Sequence, residues 1–344
     1  MPDKYERGHQ RNIAAVSKLI RQLYEDLVTE VAYIATTLPY KGELFSLAMY
    51  PYLKDQINQL TKELSTRIYS VVVNNIEASW SLSNEKNNVF IDKRFARKKI
   101  PERLHEALYD ANESAMNRFI SRRKDGLGLS KRVWNAVEPM RYELEKGIGV
   151  GLSKGQGARE LASDLKKYLR EPDKLFRRVR DAEGKLRLSK AAREYNPGQG
   201  VYRSSYQNAL RIARTETNMA YRTADHERWK HMPFVVGLEI QLSDSHPKYD
   251  ICDKLAGKYP KDFKWSGWHP NCMCYQTPIM LTDEEYEKYE DMLLGKGYYD
   301  VNTSDNLVKD VPKAFDEFID DNAERMARWK SKPYWMSENK EFVY

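Results

Sequence analysis

All three cysteines of the chain, and four of its six histidines, fall between His226 and Cys274. Thiolate and imidazole are the ligands zinc prefers, and a tetrahedral site gathers four of them. Cys252 stands on one stretch and His269, Cys272 and Cys274 on a second, so these four make one complete set. Cys-x-Cys is less usual than Cys-x-x-Cys, yet two cysteines two apart can turn toward one ion in an irregular loop. His246 is expected as an alternate ligand or as a support for one. The chemistry predicted for such a set is structural, a zinc pinning a loop-rich region. The plainer alternative is three reduced cysteines in a small core. His226 and His231 lie five apart on a preceding helix and are expected in surface or capping roles.

Composition narrows the class. With 41% hydrophobic and 12% aromatic residues the chain is not disordered, and its 344 residues allow two or three compact units. Three cysteines exclude a full disulfide framework, and their grouping favours a metal in a reducing compartment. A net charge of +7 is a mild preference for anionic partners, far from that of a histone-like tail. No apolar run approaches a membrane span and the first residues have no signal-peptide stretch, so a protein made in a cytoplasm is expected, with no membrane partner.

The elements that must position the site are mostly helices. Ile13, Val16, Ile20, Leu23, Leu27, Val31 and Ile34 recur at helical steps, and so do Leu53, Ile57, Leu60, Leu64, Ile68, Val71 and Ile76. Such stripes must be covered by each other, by later helices or by another subunit. Residues 81–99 read as a polar connection and 101–123 as a third helix. Ser130 is expected to cap a fourth, and the glycines from Gly147 to Gly157 to form a turn between helices rather than a phosphate loop. Leu161, Leu165 and Leu169 mark the next helix. Residues 174–193 alternate around a turn and read as a basic β-hairpin. A helix near 204–231 precedes a strand over 234–242, whose partner is 275–280. Thr282 and Glu285 form a capping box, and Pro312 opens a last helix. The fold class predicted is mainly α with a smaller metal-stabilised α+β domain. The segments expected are a helical region 1–172, a hairpin and linker 173–203, a metal-binding domain 204–281 and a helical tail 282–344.

The run Ala213-Arg214-Thr215-Glu216-Thr217, then a helix and a strand, then Cys252-x-x-Leu255-x-Gly257, and finally His269-Pro-Asn-Cys272-x-Cys274, resembles the domain of phage minor head proteins. That family is typified by protein F of phage Mu and is often described as head morphogenesis protein. The resemblance covers about 204–280. It implies a non-enzymatic virion protein at the capsid interior or portal vertex, with portal protein and other head components as partners. Many members carry a cysteine where this chain has Tyr249, and an arginine where it has Met273; by the resemblance the first departure removes a ligand, and His246 and Asp250 on the same loop are the candidates to replace it. The resemblance also points to Arg214 and Glu216, which are expected in structural ion pairs. Being two apart on a helix, they do not face each other.

Two other functions are weighed. His269-Pro-Asn271 invites comparison with an HNH-like metal-dependent nuclease, but that reaction needs further ligands on a following helix, and no histidine follows Cys274. A carrier for a C-terminal toxin would need a longer tail. The basic hairpin supplies the candidate surface for packaged DNA or an acidic partner, through Arg177, Arg178, Arg180, Lys185 and Arg187. Plain solvation of a charged surface is its alternative.

Overall fold

The computed structural model describes residues 4–42, 45–95, 101–172, 178–180, 182–188, 202, 204–244, 246 and 249–343. The chain is mainly α-helical with a smaller α+β region around a three-stranded antiparallel sheet. It forms two compact units. One is assembled from Met1–Ile13, Asn75–Ser121 and Thr215–Tyr344, the other from Ala14–Asn74 and Arg122–Arg214. These units cut across the four consecutive segments expected, because three long helices each contribute to both: α1 (Lys4–Thr36), α2 (Pro51–Arg94) and α8 (Ser205–Lys230).

In the unit built from 14–74 and 122–214, the predicted stripes are internal. Val16, Ile20, Leu27 and Val31 of α1 and Leu53, Ile57, Leu64 and Ile68 of α2 are all buried, so intrachain packing covers them. Helices α5 (Leu129–Val137), α6 (Met140–Ser153) and α7 (Ala158–Arg170) complete the unit. Gly128, not Ser130, takes the N-cap of α5, which puts Ser130 in the first turn. The glycine run is likewise not a turn: Gly147, Gly149 and Gly151 lie inside α6, and only 154–157 turns. A Cβ at Gly147 would collide with Leu165 and one at Gly151 with Leu161. Glycine therefore serves close helix approach here, where a sequence reading sees only a helix breaker. The start of α8 is fastened by polar bonds: Ser205 N–H donates to Glu143 Oε1 at 2.7 Å and Ser204 Oγ to the Leu169 carbonyl at 3.1 Å. The hairpin pairs β1 (Arg178–Arg180) with β2 (Leu186–Leu188), Val179 opposite Arg187. Lys185 is exposed at its turn, and Arg177 lies outside the described residues.

The other unit holds the sheet. Its order is β4-β3-β5, with β3 Val235–Gln241, β4 Gly257–Tyr259 and β5 Tyr275–Met280 all antiparallel. The expected strand pair and the Thr282 capping box, which opens α10 (Asp283–Leu293), are both present. Three expectations change. Residues 81–94 continue α2 instead of forming a connection, because Ser83, Asn84 and Asn87 are buried and satisfied. Ser83 Oγ and Asn87 Nδ2 donate to Asp225 at 2.7 and 2.9 Å, while Trp229 Nε1 donates to Asn87 Oδ1 at 2.9 Å. The third helix is two, α3 (Glu102–Tyr109) and α4 (Glu113–Ser121), split where Asp110 accepts the Asn112 amide and Asn112 turns to a φ of 53°. The C-terminal tail is no appendage: Phe315 of α11 (Lys313–Ala327) and Trp335 join Phe234, Phe263, Trp265 and Trp268 in one aromatic core that also contains the three cysteines. No helix among the described residues is long and apolar enough to cross a membrane.

Buried ionisable groups give the two units opposite pH responses. Burial lowers His9 and His226 from an ordinary 6.5 to about 3, so both are neutral in the folded unit. The surface or capping role expected of His226 is therefore wrong, since it is a buried helix residue. Unfolding lets each imidazole take a proton below pH 6.5, and stability falls as pH drops from there toward 3, by about 1.4 kcal/mol per pH unit per histidine. Glu143, in the other unit, is raised by burial from 4.5 to about 8. It holds a proton that the unfolded chain has lost, so its contribution is present below pH 4.5 and disappears as pH rises toward 8. Hydrogen exchange in urea at pH 7 and pH 5 should show 215–344 losing protection on acidification while α6 and α7 gain it. His9→Asn should flatten the acid slope of the first unit by about 1.4 kcal/mol per pH unit. An unchanged slope would mean that His9 is not held neutral.

Candidate metal centre

The two ligand-bearing stretches are set by local chemistry. Asp250 caps the short helix α9 (Ile251–Leu255), accepting the Cys252 amide at 2.7 Å, and the Asp250 amide in turn donates to Asp253 Oδ2 at 2.8 Å. This box presents Cys252 inward at the first turn. The other stretch doubles back before β5, with Asn271 at a φ of 62° and Gly267 at 115°. A Cβ on Gly267 would stand 2.5 Å from Arg222 Nη1, so only glycine lets the loop approach α8 this closely.

Cys252, Cys272 and Cys274 are buried, and their Sγ atoms lie within 4.8 Å of one another. The same limit holds for Asp250, Cys252 and His269. Cys252 Sγ is 3.7 Å from Cys272 Sγ and 3.2 Å from His269 Nε2. Two thiolates bound tetrahedrally to zinc at about 2.3 Å stand about 3.8 Å apart, and a thiolate and an imidazole nitrogen about 3.6 Å. Cys252 thus stands at about the spacing of such a site from both Cys272 and His269, and it is the member shared by two overlapping clusters, one of three cysteines and one with Asp250 and His269. His269 Nδ1 meets the Pro270 carbonyl at 2.8 Å, and a proton there leaves the Nε2 lone pair facing Cys252. Asp250 Oδ2 lies 3.2 Å from the same nitrogen, which makes it the fifth donor at the site.

The thiols also need a counter-charge. Hydrogen bonding from Cys252 and Cys274 holds Cys272 well below the ordinary thiol value, while Cys252 is pushed up, first through its bond to Cys272. Converting all three to ligands takes a cation.

His246 does not join the donors. Its Nε2 meets Asp253 Oδ1 at 3.0 Å and its Nδ1 the Ser243 carbonyl at 2.9 Å. The bond to Asp253 raises its pKa, so it braces the capping box from outside. Its expected place as alternate ligand is corrected on that geometry.

Sequence reasoning missed what holds the second stretch. Arg222, buried in α8, donates Nη2 to the carbonyls of Cys272 and Cys274 at 2.7 and 2.5 Å, and Nη1 to that of Ser266 at 3.1 Å. Its guanidinium lies over the Trp265 ring, 4.4 Å from the centroid. Thr215 Oγ1 accepts the Asn271 amide at 3.1 Å, and Asn218 Nδ2 lies 3.8 Å from Met273 Sδ. Thr215, Asn218 and Arg222 recur at three and four residues, so one polar face of α8 grips the ligand loop. That spacing was the available signal. Of the residues expected in ion pairs, Arg214 donates Nε to Ser17 Oγ at 2.9 Å, and Glu216 is buried. Together Cys252, Cys272, Cys274 and His269, with Asp250 alongside, are positioned to hold a metal ion. Among known proteins, no family model, no curated sequence and no solved structure matches the chain.

Proposed function

We propose that the chain is a structural, non-enzymatic minor head protein of a phage or prophage, associated with the portal and acting in head assembly or in DNA packaging or ejection. In this reading the ion is a structural zinc bound by Cys252, His269, Cys272 and Cys274. One observation carries it: the three stretches that bear the resemblance, beginning at Ala213, at Cys252 and at His269, meet at this site, where Thr215 accepts the Asn271 amide, Cys252 faces His269, and Arg222 holds the carbonyls of Cys272 and Cys274. Three thiolates and an imidazole fill a tetrahedron and leave no position for substrate, which is the pattern of structural rather than catalytic zinc. That donor set also favours this reading over the nuclease. The toxin-carrier reading loses ground because Phe315 and Trp335 are core residues of the same unit. Co-expression with a phage portal protein tests the reading. Co-purification of the two as a defined complex is expected, and a chain that binds neither portal nor any other head component overturns it.

In a DNA-filled head the hairpin's arginines would meet the packaged genome. The triple substitution Arg177→Ser, Arg178→Ser and Arg180→Ser should weaken DNA binding equally for all sequences. It should also lower the log–log salt slope by about one for each phosphate that an arginine no longer neutralises. Fluorescence anisotropy from low to moderate salt reads both, and an unchanged slope assigns the hairpin to solubility alone.

A further inference from the structure

A groove of about 490 Å³ lies in the sheet-containing unit, lined by the first turn of α1, the second half of α2, α8 and the edge strand β5. Val89, Phe90, Tyr275, Pro278 and Met280 stand half-buried around it, so its walls are apolar and partly aromatic. Adjoining it is a recess of about 10 Å³, which shares Glu6, Tyr221, Tyr275 and Gln276 with the groove and adds His9. A recess of that size admits one small group. Cys274 borders the recess as well, but the donors of the metal centre are otherwise separate from it.

Two buried side chains of the recess carry an acceptor with nothing bonded to it. His9 is 2% exposed, and its Nε2 meets Asn218 Oδ1 at 2.9 Å. An amide oxygen only accepts, so Nε2 carries the proton. Burial keeps the imidazole neutral, with its pKa at about 3, which leaves Nδ1 a bare acceptor. Gln276 is 6% exposed and donates Nε2 to the Arg222 carbonyl at 2.9 Å. Neither His9 Nδ1 nor Gln276 Oε1 has a hydrogen-bond partner among the described residues. Two open acceptors beside one small recess call for a group that offers two N–H donors. The positive charges of Arg222 and Lys86 act on His9, so a neutral amino group suits the place better than an ammonium. Lys86 is itself held by Asp225 at 2.5 Å and lies over the Tyr221 ring, whereas Lys93 lines the groove as an exposed cation.

We propose that the groove binds a nucleotide whose base carries an exocyclic amino group, with that group donating to His9 Nδ1 and Gln276 Oε1, the base against Phe90 and Tyr275, and the phosphate toward Lys93. A flat base suits walls that are apolar and partly aromatic. Its amino group brings two N–H bonds on one atom, which is what the recess has room for. The exposed ammonium supplies the phosphate with a cation. The groove also has the size of a small-ligand pocket, roughly 300–1,000 Å³. A base with a carbonyl in place of the amino group sets an acceptor against two acceptors and is rejected. The inference does not rest on the head-protein reading.

Titration calorimetry of the intact protein with two matched pairs of monophosphates, cytidine against uridine and adenosine against inosine, tests this without any substitution. Within each pair the amino group is exchanged for a carbonyl. The amino-bearing member of at least one pair should bind at least about tenfold more tightly, the weight of the hydrogen bonds that it alone makes. Gln276→Leu should bring the two members of that pair closer together. Lys93→Ala, at an exposed position, should keep the preference and weaken both members by about threefold. A short single strand of the preferred base that binds more tightly than the monophosphate identifies nucleic acid as the source, and one that binds no better identifies a free nucleotide. Equal affinities within both pairs, or no binding of any of the four at millimolar concentration, overturn the proposal.

Discussion

Stripping the metal with a strong chelator should melt the sheet-containing unit while leaving the other helical unit folded. Structural zinc contributes on the order of 10 kcal/mol of binding free energy, which is comparable to the whole stability of a domain. The cysteines lie inside the aromatic core rather than on its margin, so losing the ion also uncouples Trp265, Trp268 and Trp335 from the ligand loop. Near-ultraviolet circular dichroism should lose most of its tryptophan signal, since Trp134 is the sole tryptophan of the other unit. Far-ultraviolet helicity should fall only in part. Cys272→Ser should reproduce this without chelator. A chelated protein that keeps its full near-ultraviolet spectrum would mean that packing alone holds the loop.

Arg222→Met is expected to be nearly as damaging as losing a ligand. It leaves the carbonyls of Ser266, Cys272 and Cys274 without their donor in a dry interior. Truncating one partner of a buried, charge-assisted network costs about 3–5 kcal/mol. Arg222→Lys should rescue little, because an ammonium cannot span three carbonyls with a planar fork or stack on Trp265. The readout that separates this role from general packing is metal affinity. Competition with a chromophoric chelator should show weaker binding in Arg222→Lys even where the variant remains folded. Parent-like affinity in a folded Arg222→Lys would reduce Arg222 to a core residue.

What could be read from the sequence follows the physics of each element. Apolar periodicity predicted α1, the first part of α2 and α7, because those faces are buried by the simplest rule, oil inside. Thr282 and Glu285 announced α10 because a capping box is local. The ligands were legible because cysteine and histidine have few other reasons to cluster. The continuation of α2 was not legible: Ser83, Asn84 and Asn87 look solvated until Asp225, Arg228 and Trp229 satisfy them from another helix. Gly147 and Gly151 read as breakers for the same reason, since the leucines that need the space are 18 and 10 residues further on. The place of the tail in the core depended on pairings more than fifty residues apart, such as Trp335 Nε1 donating to the Trp268 carbonyl at 3.2 Å. His246 was misplaced because a capping carboxylate, invisible as a competitor in sequence, claims it first.

The proposed reading of the site stands or falls with a zinc ion held by Cys252, His269, Cys272 and Cys274. Native mass spectrometry of protein purified without added metal, followed by thiol titration before and after chelation, tests it most directly. One zinc per chain is expected, with no thiol reactive in the native protein and all three reactive once the ion is removed. Metal-free protein with three freely titrating thiols would contradict it.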